Sequence, residues 1–138
     1  MSVGEKGYTA IEMLVAIGVI GILLSMAAVG LGVVAQQFDL DNAARKVGMV
    51  LNQGRVQAIT RGHRVVVSFD EGEATITDDT DGVDLATEEF PPHISVSASG
   101  DATFTPVGTA AETVTVTVSN DSSSREVVVG LIGGVQIQ

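Results

Sequence analysis

The sequence predicts an α+β fold, a long N-terminal helix packed on an antiparallel β-sheet domain, with the first half of the helix spanning a membrane. Three observations predict it. An uncharged apolar run opens the chain, with Ser25 as its only hydroxyl between Met13 and Ala35. A stretch with helical spacing follows it. After Gly62 the apolar period changes from three-to-four residues to two. The chain has 138 residues, enough for one domain and an additional segment.

The apolar run comes first. Mean hydropathy is positive and only 17% of residues are charged, and this run is the reason. An unbroken helix of that length matches a hydrocarbon core of about 30 Å, so a membrane span is expected over residues 8–35. A secretory signal peptide fits less well, because the run is long and no small-residue cleavage site follows it. Glu12 is the exception within this apolar context. A carboxylate at the edge of an apolar helix marks a functional position by default and needs a partner. No basic residue lies one turn away on its face, so the partner is sought in lipid, water or another subunit.

The helix is expected to continue. Leu40, Ala44, Val47, Leu51, Gly54 and Ala58 recur at steps of four and three, which defines one face. Lys46, Met49, Gln53 and Thr60 lie opposite. Gly62 after Arg61 gives a C-terminal stop. A helix over about 36–61 therefore begins a globular domain of residues 36–138, with strands from 64 onward. Val65, Val67 and Phe69 alternate with polar or exposed positions, and Ala74 and Ile76 follow a Glu71-Gly72 turn, so a hairpin is predicted. Ile94 to Ala98, Val114 to Val118, Val127 to Val129 and Val135 to Ile137 give further strands. The Asn120–Ser124 segment gives a turn. These strands form one antiparallel region or two small sheets against one helix face.

The residues at the start carry a resemblance. Gly7-Tyr8-Thr9-Ala10-Ile11-Glu12, followed by an apolar run, resembles the class III signal sequence of type IV pilins and type II secretion pseudopilins. The resemblance implies a pilin-like fold and a leader of residues 1–7, with Lys6 as its basic residue. It implies cleavage by prepilin peptidase between Gly7 and Tyr8 and N-methylation of Tyr8. Glu12 would then be the fifth mature residue and would pair with the free amine of a neighbouring subunit during assembly. The chain departs from the family pattern at Tyr8, where Phe or Met is commoner, and at Val29, where many pilins have Pro. Gly30 and Gly32 sit beside Val29 and would loosen the helix there.

Two further segments resemble the GspH/FimT group of minor pseudopilins. Asn52-Gln53-Gly54-Arg55-Val56-Gln57-Ala58-Ile59-Thr60-Arg61-Gly62-His63-Arg64-Val65 is similar to the end of that group's helix running into its first strand, with Gly54 where Ala is usual. Phe104-Thr105-Pro106-Val107-Gly108 is similar to its F-x-P-x-G turn. The implied function is that of a structural subunit in a type II secretion pseudopilus or a type IV pilus. Its partners would be other subunits, prepilin peptidase and an inner-membrane assembly platform. Its location would be the bacterial inner membrane, single-pass with a periplasmic C-terminal domain, and then a filament.

Other chemistry is weaker. His63 and His93 are the only histidines, and neither sits in a catalytic or metal spacing, so no enzyme is expected. With Thr77 as first position, Asp79, Asp81, Gly82 and Glu88 fall at EF-hand-like offsets, but the leading Asp is missing. Calcium is thus a minor candidate beside a solvated acidic loop, and no cofactor is expected. No cysteine is present, which excludes disulfides and thiolate sites. A net charge of −10 argues against nucleic acid as a partner, as does Arg125 being the only cation after Arg64. Alternative readings are a tip module that captures DNA, a secreted substrate or calcium, which loss of binding on neutralising Arg45, Lys46, Arg61 and Arg64 would favour, and a major pilin.

Overall fold

The computed structural model describes residues 8–138, with side-chain surroundings described outside residues 27–36. Lys6, Gly7 and the leader lie outside the described residues, and the expectations at Val29, Gly30 and Gly32 lie outside the described side chains. One helix, α1 (Ala10–Arg61), precedes eight strands: β1 (Val65–Asp70), β2 (Glu73–Asp78), β3 (Val83–Glu89), β4 (Ser95–Ala98), β5 (Ala102–Phe104), β6 (Val114–Ser119), β7 (Ser124–Val129) and β8 (Val135–Ile137). The chain divides into two compact units, Met1–Gln36 and Gln37–Gln138.

Among the described side chains of the first unit the helix has no amphipathic face. Ile11, Leu14, Ile17, Ile20 and Leu24 are all exposed, and so are the residues between them. Ser25 adds little polar surface, because its hydroxyl donates to the carbonyls of Gly21 at 3.1 Å and Ile22 at 2.8 Å. The expected membrane span is corrected here. Among the described residues no helix is long and apolar enough to cross a membrane. The helix also carries a carboxylate, Glu12, in its first turn, which an apolar span does not accommodate freely. The transmembrane first half of the helix, membrane partnership and the single-pass inner-membrane location with a periplasmic domain, all inferred from run length, do not stand.

In the second unit the helical spacing has its predicted effect. Leu40, Ala44, Val47, Leu51, Gly54 and Ala58 are all buried. Ala43 and Val50 widen the stripe. Met49, Gln53 and Thr60 are exposed on the other side. The helix stops at Gly62, whose φ of 69° is in the left-handed region that Gly tolerates at this position, and whose N–H bonds the Ala58 carbonyl at 3.0 Å.

The strands form two four-stranded antiparallel sheets, ordered β3-β2-β1-β5 and β4-β6-β7-β8. The β1–β2 hairpin pairs Val67 with Ile76 and turns at Glu71-Gly72, both at positive φ as a two-residue hairpin loop demands. Val65, Val67, Ala74, Ile76, Val114, Val116, Val118, Val127 and Val129 point into one core with the helix stripe and Phe104. Two strands have no period-two signal in the sequence. β3 is an edge strand with no fully buried residue, and β5 has three residues. An exposed edge has no core face to write an alternation, so β3 reads as acidic loop.

Candidate functional site

Three places carry the candidate residues. The first is the start of α1. Thr9 stands before the first helical residue, and Glu12 is three residues on. The Glu12 carboxylate Oε2 accepts from the Thr9 N–H at 3.1 Å and from its hydroxyl at 3.2 Å, and the Glu12 N–H donates to Thr9 Oγ1 at 3.3 Å. This is a reciprocal capping box, which satisfies donors that the first helical turn leaves free. The carboxylate therefore has a partner inside its own chain, where the sequence suggested one outside it. The Thr-x-x-Glu spacing was the signal for it. Tyr8 lies beside the cap and is exposed.

The second is the pair of segments at the end of α1 and around Phe104. They meet in space. Arg55 Nε donates to the Gly108 carbonyl at 2.8 Å. The turn itself closes by the Gly108 N–H bonding the Thr105 carbonyl at 2.8 Å. Gly54 brings the helix so close to β1 that a Cβ there would lie 2.4 Å from Val67 Cγ2 and 3.6 Å from the Phe104 ring. An alanine, usual at this point in the resembled pattern, would not fit beside Val67.

The third is the corner between the end of α1 and the β2–β3 hairpin. Ala74, Ile76 and Asp78 share the inward face of β2, so Asp78 enters the core with only 1% of its surface exposed. Its Oδ1 accepts the Thr80 N–H at 3.0 Å, and its Oδ2 lies 3.2 Å from His63 Nδ1 and 3.8 Å from Arg61 Nη1. The Thr80 N–H is the main reason the Asp78 carboxyl titrates below its ordinary value. Burial opposes it, and His63 adds to it. His63, which the sequence places in no metal or catalytic spacing, is thus half-buried against a carboxylate. The period-two pattern of β2, continued one step past Ile76, would have flagged Asp78.

The calcium candidates are not assembled. Asp79 and Asp81 lie on the turn after β2. Glu88 pairs opposite Ala74, near the other end of the hairpin, and Lys46 Nζ holds its carboxylate at 2.9 Å. The cations proposed for ligand capture are also dispersed. Lys46 additionally donates to the Glu89 carbonyl at 2.7 Å and sits 5.4 Å over the Phe90 ring. Arg64 faces Asp79 at 3.6 Å, and Arg125 bonds Asp41 at 3.1 Å. Arg45 is exposed on the helix. About 16 helical residues, roughly 24 Å, separate Arg45 from Arg61, so the set makes no single basic patch. His93 lies elsewhere, 3.4 Å from Asp39.

The comparisons with known proteins agree with this geometry. The family described as "Type II transport protein GspH" matches residues 43–133, which contain both motif segments. The type IV minor pilin FimU of Pseudomonas aeruginosa, in one crystal form, is 16% identical with a TM-score of 0.62, covering 72% of this chain and 92% of that one. In a second crystal form the values are 15% and 0.65, covering 75% and 90%. The minor pseudopilin EpsH from the type 2 secretion system of Vibrio cholerae is 12% identical, with a TM-score of 0.62, covering 72% and 96%. At these identities the likeness shows a shared fold. No curated protein matches the sequence significantly.

Proposed function

This chain belongs to the GspH family of type II transport proteins, and we propose that it is a minor pilin or pseudopilin, cut between Gly7 and Tyr8 and built into a filament through its N-terminal helix. It is a structural subunit of the pilin and pseudopilin class and not an enzyme.

The observation that carries the proposal is the helix over residues 10–26. It is apolar on every side and exposed throughout. Proteins rarely leave contiguous apolar surface of more than a few hundred Å² uncovered unless it is an interaction site. An all-round apolar helix needs neighbours on all sides, and a bundle of like helices supplies them. Cleavage and N-methylation at Tyr8 place a new amine three residues before Ile11. In a filament the Glu12 carboxylate of one subunit pairs with the Tyr8 amine of another.

The capping box gives this pairing an energetic form. In the free subunit the carboxylate is satisfied by Thr9 and remains exposed to water. Covering it with apolar helices removes that water, and a buried unpaired charge costs several kcal/mol. A cation from the adjoining subunit relieves that cost only in one register, so the pair selects how far one helix slides past the next.

Incorporation of Glu12→Ala into sheared filaments tests this. The account expects a folded subunit that fails to enter the filament. Wild-type levels of the variant in the filament fraction would remove the pairing role. Thr9→Ala separates the two functions of Glu12. It weakens the cap by about 1 kcal/mol but leaves the charge, so incorporation persists.

A further inference from the structure

We propose that His63, Asp78 and Asp81 form a binding site for a divalent transition metal of the zinc class, which ties the end of α1 to the β2–β3 hairpin. One ligand atom from each of the three lies within 4.8 Å of the others. They come from separate places in the sequence: the residue after the helix stop, the last residue of β2, and the hairpin turn.

The distances fit an ion. Ligands about 2.0–2.1 Å from a tetrahedral zinc stand roughly 3.3–3.4 Å apart. His63 Nδ1 and Asp78 Oδ2 are already 3.2 Å apart. An ion seated between them displaces the shared proton to solvent, as metal binding to imidazole and carboxylate does. Asp81 is exposed on the turn, so its side chain closes the remaining distance by rotation. The three protein ligands leave a fourth position for water.

The site is framed before any ion arrives. Asp78 Oδ1 is held by the Thr80 N–H, which orients the carboxylate with Oδ2 toward His63. The Gly82 N–H bonds the Asp78 carbonyl at 2.8 Å, and the Asp79 N–H bonds the Arg64 carbonyl at 3.0 Å. These two bonds fix the turn and join it to the segment carrying His63. The nearest competing cation is Arg61. It approaches Asp78 only to 3.8 Å and also donates through Nε to Gln57 at 3.2 Å, a residue of its own helix. It is therefore able to withdraw along α1.

The donor set chooses the metal. One imidazole nitrogen with two carboxylate oxygens suits zinc and its neighbours, whereas calcium and magnesium take all-oxygen shells of six or more ligands. The proposed site thus takes a different ion and a different ligand set from the acids flagged in the sequence. Asp81 is common to both, and Asp79 and Glu88 give way to His63 and Asp78.

Titration of the untagged full chain with Zn2+ by calorimetry, with Co2+ as an optical probe, tests this. One equivalent is expected to bind, with a rise in the thermal midpoint of about 5 °C or more at saturation. His63→Ala and Asp81→Asn, with wild-type circular dichroism, are each expected to weaken binding about tenfold or more. His93→Ala leaves it unchanged, and calcium in excess does not compete. Failure to bind zinc saturably overturns the proposal. So does binding that survives both His63→Ala and Asp81→Asn, or that His93→Ala removes.

Discussion

Replacing Gly54 with alanine sets two effects of known sign against each other. Glycine inside a helix costs about 1 kcal/mol relative to alanine, so on propensity alone the variant gains stability. The structure opposes this. The new methyl would lie 2.4 Å from Val67 Cγ2, closer than carbon atoms approach without one moving. Val67 cannot yield easily. It is fully buried on β1, its branched side chain has a restricted rotamer choice, and its strand is paired on both sides, with β2 and with β5. Overpacking a core methyl costs about 1–3 kcal/mol. The contacts to the Phe104 ring, at 3.6 and 3.7 Å, are ordinary and offset little. The expected net effect is a loss of about 1 kcal/mol, or about 4–8 °C for a unit of roughly 100 residues. A double-mutant cycle isolates the cause. Val67→Ala alone loses about 2–3 kcal/mol through lost burial and a cavity. In the double variant the methyl added by Gly54→Ala occupies space that Val67 vacates, so the combined loss falls short of the sum by about 1–2 kcal/mol. Urea unfolding of the four proteins gives the answer. A Gly54→Ala protein more stable than wild type, or additivity within about 0.5 kcal/mol, would refute the close-approach argument.

Other perturbations follow from the same packing. Because the Asp78 carboxyl titrates below its ordinary value when folded, the unfolded chain takes up the proton first. Its contribution is full above the unfolded value and is lost as pH falls through the folded one, so an acid limb is expected below roughly pH 4. Asp78→Asn flattens that limb in urea midpoints measured against pH with chelator present. Arg55→Ala removes the bond to the Gly108 carbonyl and is expected to lower stability by about 1–2 kcal/mol in thermal unfolding. Arg55→Lys does not restore it, since an ammonium does not reproduce the Nε geometry. Lys46→Ala loses an exposed ion pair and a contact with Phe90, for about 1 kcal/mol at low salt. The difference from wild type shrinks in 1 M salt as the charges are screened, to about a 3 Å screening length.

Much of the second unit was legible because burial writes a period into sequence. The α1 stripe from Leu40 to Ala58 and the alternating valines of β1, β6 and β7 each have one face in the core. β3 and β5 were missed for the opposite reason. One is an exposed edge, and the other is too short to show a period. The helix stop at Gly62 was readable because a left-handed residue there leaves few choices. The membrane span rested on run length alone, and among the described residues no helix is long and apolar enough to cross a membrane. At the candidate site, Glu12 was visible as an exception to its surroundings. Its partner Thr9 is a hydroxyl, which a search for a compensating charge does not reveal. Asp78 was hidden in a run of acids, where sequence offers no means to tell a core carboxylate from solvated neighbours except the inward parity of β2. The EF-hand-like offsets suit a helix-flanked loop, whereas here they fall on a hairpin, which carries Glu88 away from the turn.

The role proposed for this family member is that of a filament subunit assembled through its N-terminal helix. The intact mass of the chain recovered from sheared filaments tests it most directly. The account predicts a chain present in that fraction, beginning at Tyr8 and carrying one methyl group on its amine. A chain absent from the filaments, or present there with its mass beginning at Met1, would contradict it.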